Sequence, residues 1–266
     1  MSAPATPTDI RPDLAAETEA WHRDRIAALV AGEGWLNLTD RIELSPGRYR
    51  LGRAGDNDLR LSVGPDHLGV LELSAEGRAL LDQGAGPQPF APVPDAYPRL
   101  QAGSLLLEMT SLEGQHALRV RDLDHPARAG FSGIARYPVD PVWRITARWE
   151  ALPKPEALGI DTALGVPTSV QITHRARFSH EGQEVTLLPT HWKAGKPMFV
   201  IRDATSGVET YGASRFLIGE VQGDRVILDF NRAFNPPCAF TDLATCPLPP
   251  RGNILPFAIR AGEKAV

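Results

Sequence analysis

Apolar residues recur at helical spacing in one stretch near the start of the chain. From Asp13 to Ala31, the side chains of Leu14, Trp21, Ile26, Leu29 and Val30 fall roughly on one face, and Gly32 and Gly34 stop the pattern. This predicts an amphipathic helix lying over a core as a lid. From Trp35 onward the period changes to two, as in Arg48-Tyr49-Arg50-Leu51 and Leu68-Gly69-Val70-Leu71-Glu72-Leu73, with Gly, Pro, Asp or Asn at the ends. Further strands are expected at Ser104 to Met109 and His116 to Val120. After a break near Asp122 to Gly130 they are expected at Trp143 to Glu150, Thr168 to Phe178, Gln183 to Pro189, Met198 to Ile201, Phe216 to Glu220 and Arg225 to Phe230. Gln222-Gly223-Asp224 fits a hairpin turn between the last two. Asp82 to Pro98, rich in Gly, Pro and Ala and poor in charge, reads as a long surface loop.

The pattern as a whole predicts a mainly β protein. It comprises a tail and helix over 1–34, a β-sandwich over 35–125, and a second antiparallel β domain, sandwich or barrel, over 126–266 that ends in a proline-rich loop. Composition agrees: 42% hydrophobic residues supply cores for 266 residues, and 24 Gly with 24 Pro imply many turns. A net charge of -4 with both signs scattered leaves no basic face for nucleic acid. Met1 to Thr8 lacks the layout of an export signal, and no run reaches the roughly 18 apolar residues of a membrane span. A cytoplasmic protein with no membrane or nucleic-acid partner is expected, and two cysteines fit a reducing compartment.

Two family resemblances add to this reading. Tyr49-Arg50-Leu51-Gly52-Arg53, Asp56-Asn57-Asp58-Leu59-Arg60-Leu61, His67 and Leu100-Gln101-Ala102-Gly103-Ser104 resemble the forkhead-associated domain over about residues 40 to 120. The resemblance implies a β-sandwich in which an arginine, matched by Arg53, and a serine three before the histidine, matched as His67, grip phosphothreonine. Here Gly64 replaces the serine, Pro65 replaces a second basic residue, and Gly84-Ala85-Gly86 replaces an Asn-Gly turn. Each lost charge-assisted hydrogen bond removes ~1.5 to 3 kcal/mol from an anion site, so the sandwich is expected to persist as a scaffold, with a protein partner as the alternative use. The second resemblance spans nearly the whole chain. Gly34-Trp35-Leu36, Phe131-Ser132-Gly133-Ile134, Tyr137-Pro138-Val139-Asp140-Pro141, Asp203-Ala204-Thr205-Ser206-Gly207, Glu209-Thr210-Tyr211-Gly212, Asp229 to Thr241 and Ala244 to Pro250 occur in the order seen in domain of unknown function 1684, a bacterial family. It carries no activity that can be transferred.

Candidate chemistry concentrates between 199 and 253. Ile201 to Phe216 sets two arginines, two acids, four hydroxyl side chains and a tyrosine between apolar strands. Polar groups so placed must satisfy one another or await a ligand. The candidate site is therefore Arg202, Asp203, Glu209, Tyr211 and Arg215 on one side, with Asn231, Asn235 and Cys238 on the other. The arginines would hold a small anionic ligand, the acids and tyrosine would orient it or exchange a proton, and the asparagines would hydrogen-bond it. An internal Arg-Asp-Glu network is the competing reading. A binding protein and an enzyme both fit this set, and no cofactor is specified. Asp229 to Pro250 carries five prolines, which stiffen an irregular loop and leave the isomer of each X-Pro bond open.

Cys238 and Cys246 admit four readings: buried packing, a disulfide, a metal pair, or a nucleophile with a histidine base. Unpaired cysteine is among the most buried residue types, which favours packing. No CxxC or adjacent histidine completes a zinc set, so no metal is expected. His174, His180 and His191 are read as surface residues, with a turn at Ser179 to Gly182. His22 belongs to the helix and His116 and His125 to loop edges. Gly-x-Ser-x-Gly, a phosphate-binding Gly-rich loop ending in Lys-Ser/Thr, and HExxH do not occur.

Overall fold

A computed structural model describes residues 13–94, 96–162, 165 and 168–266. The expected N-terminal tail lies, over residues 1–12, outside the described residues. Helix α1 (Leu14–Val30) is followed by ten strands: β1 (Leu38–Leu44), β2 (Gly47–Gly52), β3 (Leu59–Arg60), β4 (Gly69–Leu73), β5 (Ala79–Asp82), β6 (Pro87–Pro89), β7 (Ala91–Val93), β8 (Ala96–Ala102), β9 (Leu105–Leu112) and β10 (Gln115–Asp122). One helical turn, α2 (Ala127–Gly130), precedes β11 (Arg144–Ile160), β12 (Thr168–His180), β13 (Gln183–Leu187), β14 (His191–Lys193), β15 (Lys196–Ile201), β16 (Arg215–Gln222) and β17 (Arg225–Asp229). The protein is mainly β with one substantial helix, as the alternation of apolar and polar positions requires. Its residues form two compact units. One holds the chain up to Ile26, Gly133–Ala239 and Thr245–Val266. The other holds Ala27–Ser132 and Phe240–Ala244.

In the second unit, two five-stranded sheets, ordered β1-β10-β9-β8-β7 and β3-β2-β4-β5-β6, share one core. Leu51, Leu71, Leu73 and Leu81 from one sheet meet Leu105, Leu107, Leu118 and Val120 from the other. Asp40 on β1 accepts hydrogen bonds from the Ser62 backbone N–H and hydroxyl at 2.8 and 2.5 Å, tying the first sheet to the loop after β3. The expected loop from Asp82 to Pro98 is instead largely strand. β6 pairs with β5, and β7 with β8. Pro87 and Pro89 stand on β6 and Pro92 on β7, the edges of their sheets, where a missing N–H costs no ladder bond, and Pro98 stands on β8, whose pairing with β7 shifts register between Ala91 and Val93.

In the first unit, a seven-stranded antiparallel sheet runs β13-β12-β11-β17-β16-β15-β14. It curls strongly: the Trp149 ring on β11 stands 6.3 Å from Phe199 on β15 and 6.5 Å from Trp192 on β14, across the intervening β17 and β16. The predicted hairpin between β16 and β17 forms, with Gln222 opposite Arg225. The turn expected at Ser179 to Gly182 joins β12 to β13 through Glu181 and Gly182, both at positive φ, the requirement of a type I′ hairpin. The pairing of β11 with β12 breaks between Ala151 and Glu156, where Pro153 and Pro155 stand.

The buried face of this sheet is covered by chain without strands. Leu255, Ile259 and Ala261 pack among Trp143, Phe199, Leu217 and Phe230. Side chains replace the missing ladder. Asn253 accepts from the Leu188 N–H at 2.8 Å and donates to the carbonyls of Leu188 and Val200 at 2.8 and 2.9 Å. No cis peptide occurs among the described residues.

Helix α1 matches the expected span and, at Leu14, Trp21 and Leu29, the expected face. Leu14, Thr18 and Leu29 are its buried residues, and Trp21 packs on Phe234 at 6.1 Å. Arg25, on the same side, donates to the Asn235 carbonyl at 2.8 Å and pairs with the buried Glu263 at 3.3 Å. A helix that buries a threonine and an arginine is bound by specific polar contacts, so it is more than an apolar lid. Ile26, assigned to the apolar face, is only half-buried.

The histidines read as surface residues are half-buried, with aromatic partners for two of them. His174 stacks on Trp149 at 4.9 Å and 6°, and His180 lies 4.5 Å from Phe257 and 5.0 Å from Trp143. Burial lowers the His191 pKa. His116 stands inside β10 rather than at a loop edge.

Close approach makes one glycine indispensable. Gly262 sits at φ +79°, and a Cβ there would lie 2.4 Å from the Ala233 carbonyl oxygen and 2.8 Å from that of Phe230, both rigid backbone. Gly262→Ala is expected to destabilise the protein by more than the ~1–3 kcal/mol of left-handed strain alone. Urea unfolding checks this, and a loss below about 1 kcal/mol would show that the C-terminal segment is free to move aside.

Candidate functional site

The loop between β15 and β16 begins and ends on a buried ion pair. Arg215, 1% exposed, donates through Nη2 to Asp203 Oδ2 at 2.7 Å. The same guanidinium donates to the carbonyl oxygens of Ala261, of Ile259 at 3.0 Å and of Glu263 at 3.4 Å. Asp203 Oδ1 accepts from the Thr205 N–H at 2.9 Å, the Thr205 hydroxyl at 2.6 Å and the Ile259 N–H at 3.2 Å. Four guanidinium bonds and three further carboxylate bonds are thus made inside the protein. The two charges meet each other where water does not reach, and the Arg215 Nε is buried there without a hydrogen-bond partner among the described residues.

The other predicted residues fall into separate hydrogen-bonded groups. Glu209 pairs with Arg260 at 2.9 Å and accepts from the Tyr137 hydroxyl at 2.9 Å. Arg260 first, then Tyr137, holds the Glu209 carboxyl below the usual range. Burial and then the Glu209 bond push the Tyr137 phenol up to about 12. Asn231 bridges Asp140 and Asp229, donating to Asp140 O and Asp229 Oδ1, each at 3.0 Å. The backbone N–H of Asn235 donates to Glu263 Oε2 at 2.7 Å, and its side chain donates to the Lys264 carbonyl at 2.7 Å. Burial raises the Glu263 pKa against the pull of Arg25. Arg202 is exposed, and its backbone pairs with Ile254.

Tyr211 and Cys238 form a group with Cys246. The Tyr211 hydroxyl donates to the Cys238 carbonyl at 2.9 Å, and the Cys238 N–H donates to Cys246 Sγ at 3.2 Å. Cys246 is buried and Cys238 half-buried. The Cys246 hydrogen bond to its sulfur, with a smaller contribution from Tyr211, outweighs burial and brings the Cys238 pKa down to about 7. Among the described residues, no group of three or more His, Cys, Asp and Glu is placed to hold a metal.

A cavity of about 300 Å3 in the same unit is lined by none of the eight predicted residues. Its walls carry four cations, Arg144, Lys193, Lys196 and Arg232, against two acids, Glu220 and Asp229, over apolar ground from Trp21, Ile218, Ile227 and Phe234. Arg144 binds Asp229 at 2.8 Å, and Arg232 approaches Asp229 at 3.6 Å and Glu17 at 3.3 Å. Neither lysine pairs with an acid among the described residues. Arg232 Nε is buried without a hydrogen bond. Lys193 is exposed by area, yet partial desolvation, then Arg25, lowers its pKa. These residues escape sequence reading because they come from α1, β11, the β14–β15 hairpin and the β16–β17 pair. Arg232 and Phe234 stand inside the Asp229 to Thr241 motif, the one signal that touched the cavity.

The buried pair yields a sharp expectation. Arg215→Ala removes the cationic partner of Asp203 in a dry interior and the guanidinium donors to three carbonyls, at a cost of about 3–5 kcal/mol. Equilibrium denaturation measures it, and a loss under 1 kcal/mol would mean that water replaces the guanidinium.

Among the described residues, no helix is long and apolar enough to cross a membrane. No match is found among curated proteins. A solution NMR structure of an uncharacterized protein from Haloarcula marismortui is 27% identical, over 52% of this chain and 79% of that one, with a TM-score of 0.43. Residues 129–264 match the model of a family described as "Protein of unknown function (DUF1684)", and by that match over half its length the chain belongs to this family.

Proposed function

We propose that the unit built on the seven-stranded sheet binds a small organic anion with an apolar or aromatic body in the cavity between α1 and the β14–β17 strands. The observation that carries this reading is the charge on the cavity walls. Four cations face two acids, and Lys193 and Lys196 stand without acidic partners on either side of the β14–β15 turn. Unpaired cations over a partly apolar floor suit a carboxylate or phosphate whose body rests on Trp21 and Phe234. The volume of about 300 Å3 matches the lower end of ligand pockets. Arg215, by contrast, is consumed by Asp203 and backbone carbonyls, so the anion is placed away from the β15–β16 loop.

Benzoate and phenyl phosphate, compared with benzamide, test the charge requirement by thermal shift. The anions are expected to stabilise the protein, by about 2.7 kcal/mol at a hundredfold excess over Kd. The Lys193→Ala/Lys196→Ala double variant should lose about a hundredfold or more in affinity, at ~1.5 kcal/mol or more for each of the two charged hydrogen bonds. Equal stabilisation by benzamide, or a shift that survives the double substitution, would overturn the reading.

A second proposal concerns residues 40–120, where we infer a forkhead-associated-like sandwich kept as a scaffold. Two five-stranded sheets over one leucine-rich core support it. Phosphothreonine recognition is left out of the proposal on electrostatic grounds. Arg53 donates to Asp66 at 2.9 and 3.2 Å. Both residues are exposed, and such a pair is worth at most about 1 kcal/mol; a phosphate could displace it, but the Asp66 carboxylate would then repel that phosphate at close range. Gly64 supplies no hydroxyl in compensation. A phosphothreonine peptide is expected to show no saturable binding by fluorescence anisotropy, and binding that Arg53→Ala abolishes would reverse the conclusion.

A further inference from the structure

The pair of thiols in the proline-rich segment stands apart from the cavity and has its own chemistry. Cys238 and Cys246 are separated by seven residues, yet the Cys238 N–H donates to Cys246 Sγ at 3.2 Å. Their burial is unequal: Cys246 is 2% exposed, whereas Cys238 is half-buried and open to an incoming molecule. Pro236 and Pro237 precede the first thiol and Pro247 follows the second, restricting the backbone at both ends. The Tyr211 hydroxyl, bonded to the Cys238 carbonyl at 2.9 Å, fixes that residue from the side. Two cysteines held in contact, one accessible and one shielded, match the division of labour in thiol–disulfide exchange.

We propose that Cys238 and Cys246 form a reversible dithiol–disulfide couple that exchanges with low-molecular-weight disulfides, Cys238 attacking and Cys246 resolving. Cys238 gives its proton to solvent, and its thiolate attacks one sulfur of the external disulfide. A bond forms from Cys238 Sγ to that sulfur, the external S–S bond breaks, and the first thiolate leaves. Cys246 passes its proton to that leaving thiolate. The Cys246 thiolate, steadied by the Cys238 N–H, then attacks Cys238 Sγ and expels the second small thiolate, which takes a proton from solvent. The protein dithiol is oxidised by two electrons and the external disulfide is reduced to two thiols, so atoms and charge balance. The low Cys238 pKa favours the first step, since the thiolate is the nucleophile. This inference does not depend on the anion cavity.

The test is intact-mass spectrometry of the folded full chain incubated with oxidised glutathione and then treated with N-ethylmaleimide. The expected product has lost two hydrogens, carries neither glutathione nor maleimide, and returns to the dithiol with dithiothreitol. Cys246→Ser should trap a single glutathione on Cys238, located by peptide mapping, and Cys238→Ser should remain unmodified over the same time. Alkylation of Cys238 should reach half its limiting rate near pH 7, giving it a rate at neutral pH roughly tenfold or more above that of an ordinary thiol. The wild-type chain alone decides the matter if a variant misfolds. A stable glutathione adduct that never resolves, or two thiols still open to maleimide after the incubation, would overturn the proposal.

Discussion

The buried bond between Arg215 and Asp203 is the constraint on which the unit around the seven-stranded sheet depends. It joins the first residue of β16 to the second residue beyond β15, and so closes the loop from 202 to 214 at its base. The same two side chains extend to the strandless C-terminal segment through the carbonyls of Ile259, Ala261 and Glu263 and the N–H of Ile259. A buried ion pair alone adds little net stability, because desolvation offsets most of its attraction. Its effect here is positional. Residues 259–263 have only an isolated bridge, Glu263 with Arg136, in place of a ladder, and any other placement of them would strip the guanidinium and the carboxylate of hydrogen bonds they make beyond each other in a dry interior.

The same device recurs wherever the chain after β17 leaves regular structure. Asn253 joins Leu188 to Val200, Asn231 joins Asp140 to Asp229, and Asn235 joins Glu263 to Lys264. The amides of Asn253 and Asn231 supply both donor and acceptor to backbone groups that a sheet would otherwise satisfy, whereas the Asn235 amide only donates, its oxygen having no partner among the described residues. With prolines limiting the remaining torsions, the irregular chain around Phe230 and from Leu255 to Ala261 becomes a fixed covering for the sheet. That rigidity is what allows two thiols to be held in contact, and Phe234 and Arg232 to be presented to the cavity.

Strands were legible wherever alternation was clear. β2, β4, β9, β10, β12, β15, β16 and β17 appear within a few residues of their expected places, and the Gln222 to Asp224 turn signal was sufficient for a hairpin. Reading failed where Pro overrode alternation. β6 and β7 look like loop because proline suits an edge strand and a loop equally, and only pairing partners distinguish the two. β14 is three residues long and too short to show a period. The helix and most of its inward face were found, but Thr18 and Arg25 on that face were not: Arg25 reaches Glu263, 238 positions away, which no local pattern announces. The candidate site shows the same division. The crowding of polar groups between 201 and 216 correctly marked a buried network, whereas the convergence of α1, β11 and the strands from β14 to β17 on one cavity depends on sheet order.

Density of polar residues along the chain and availability of charge for a guest are therefore different quantities. Groups close in sequence, such as Asp203, Thr205, Thr210 and Arg215, can settle their hydrogen bonds within one loop, and the more of them there are, the more completely they do so. A binding site needs charges prevented from settling in this way. On the proposed reading Lys193 and Lys196 meet that condition, because the tight turn through Ala194 and Gly195, both at positive φ, sets them opposite each other across a hairpin. On that same reading, an anion bound there would offset the desolvation of Lys193 and its repulsion by Arg25.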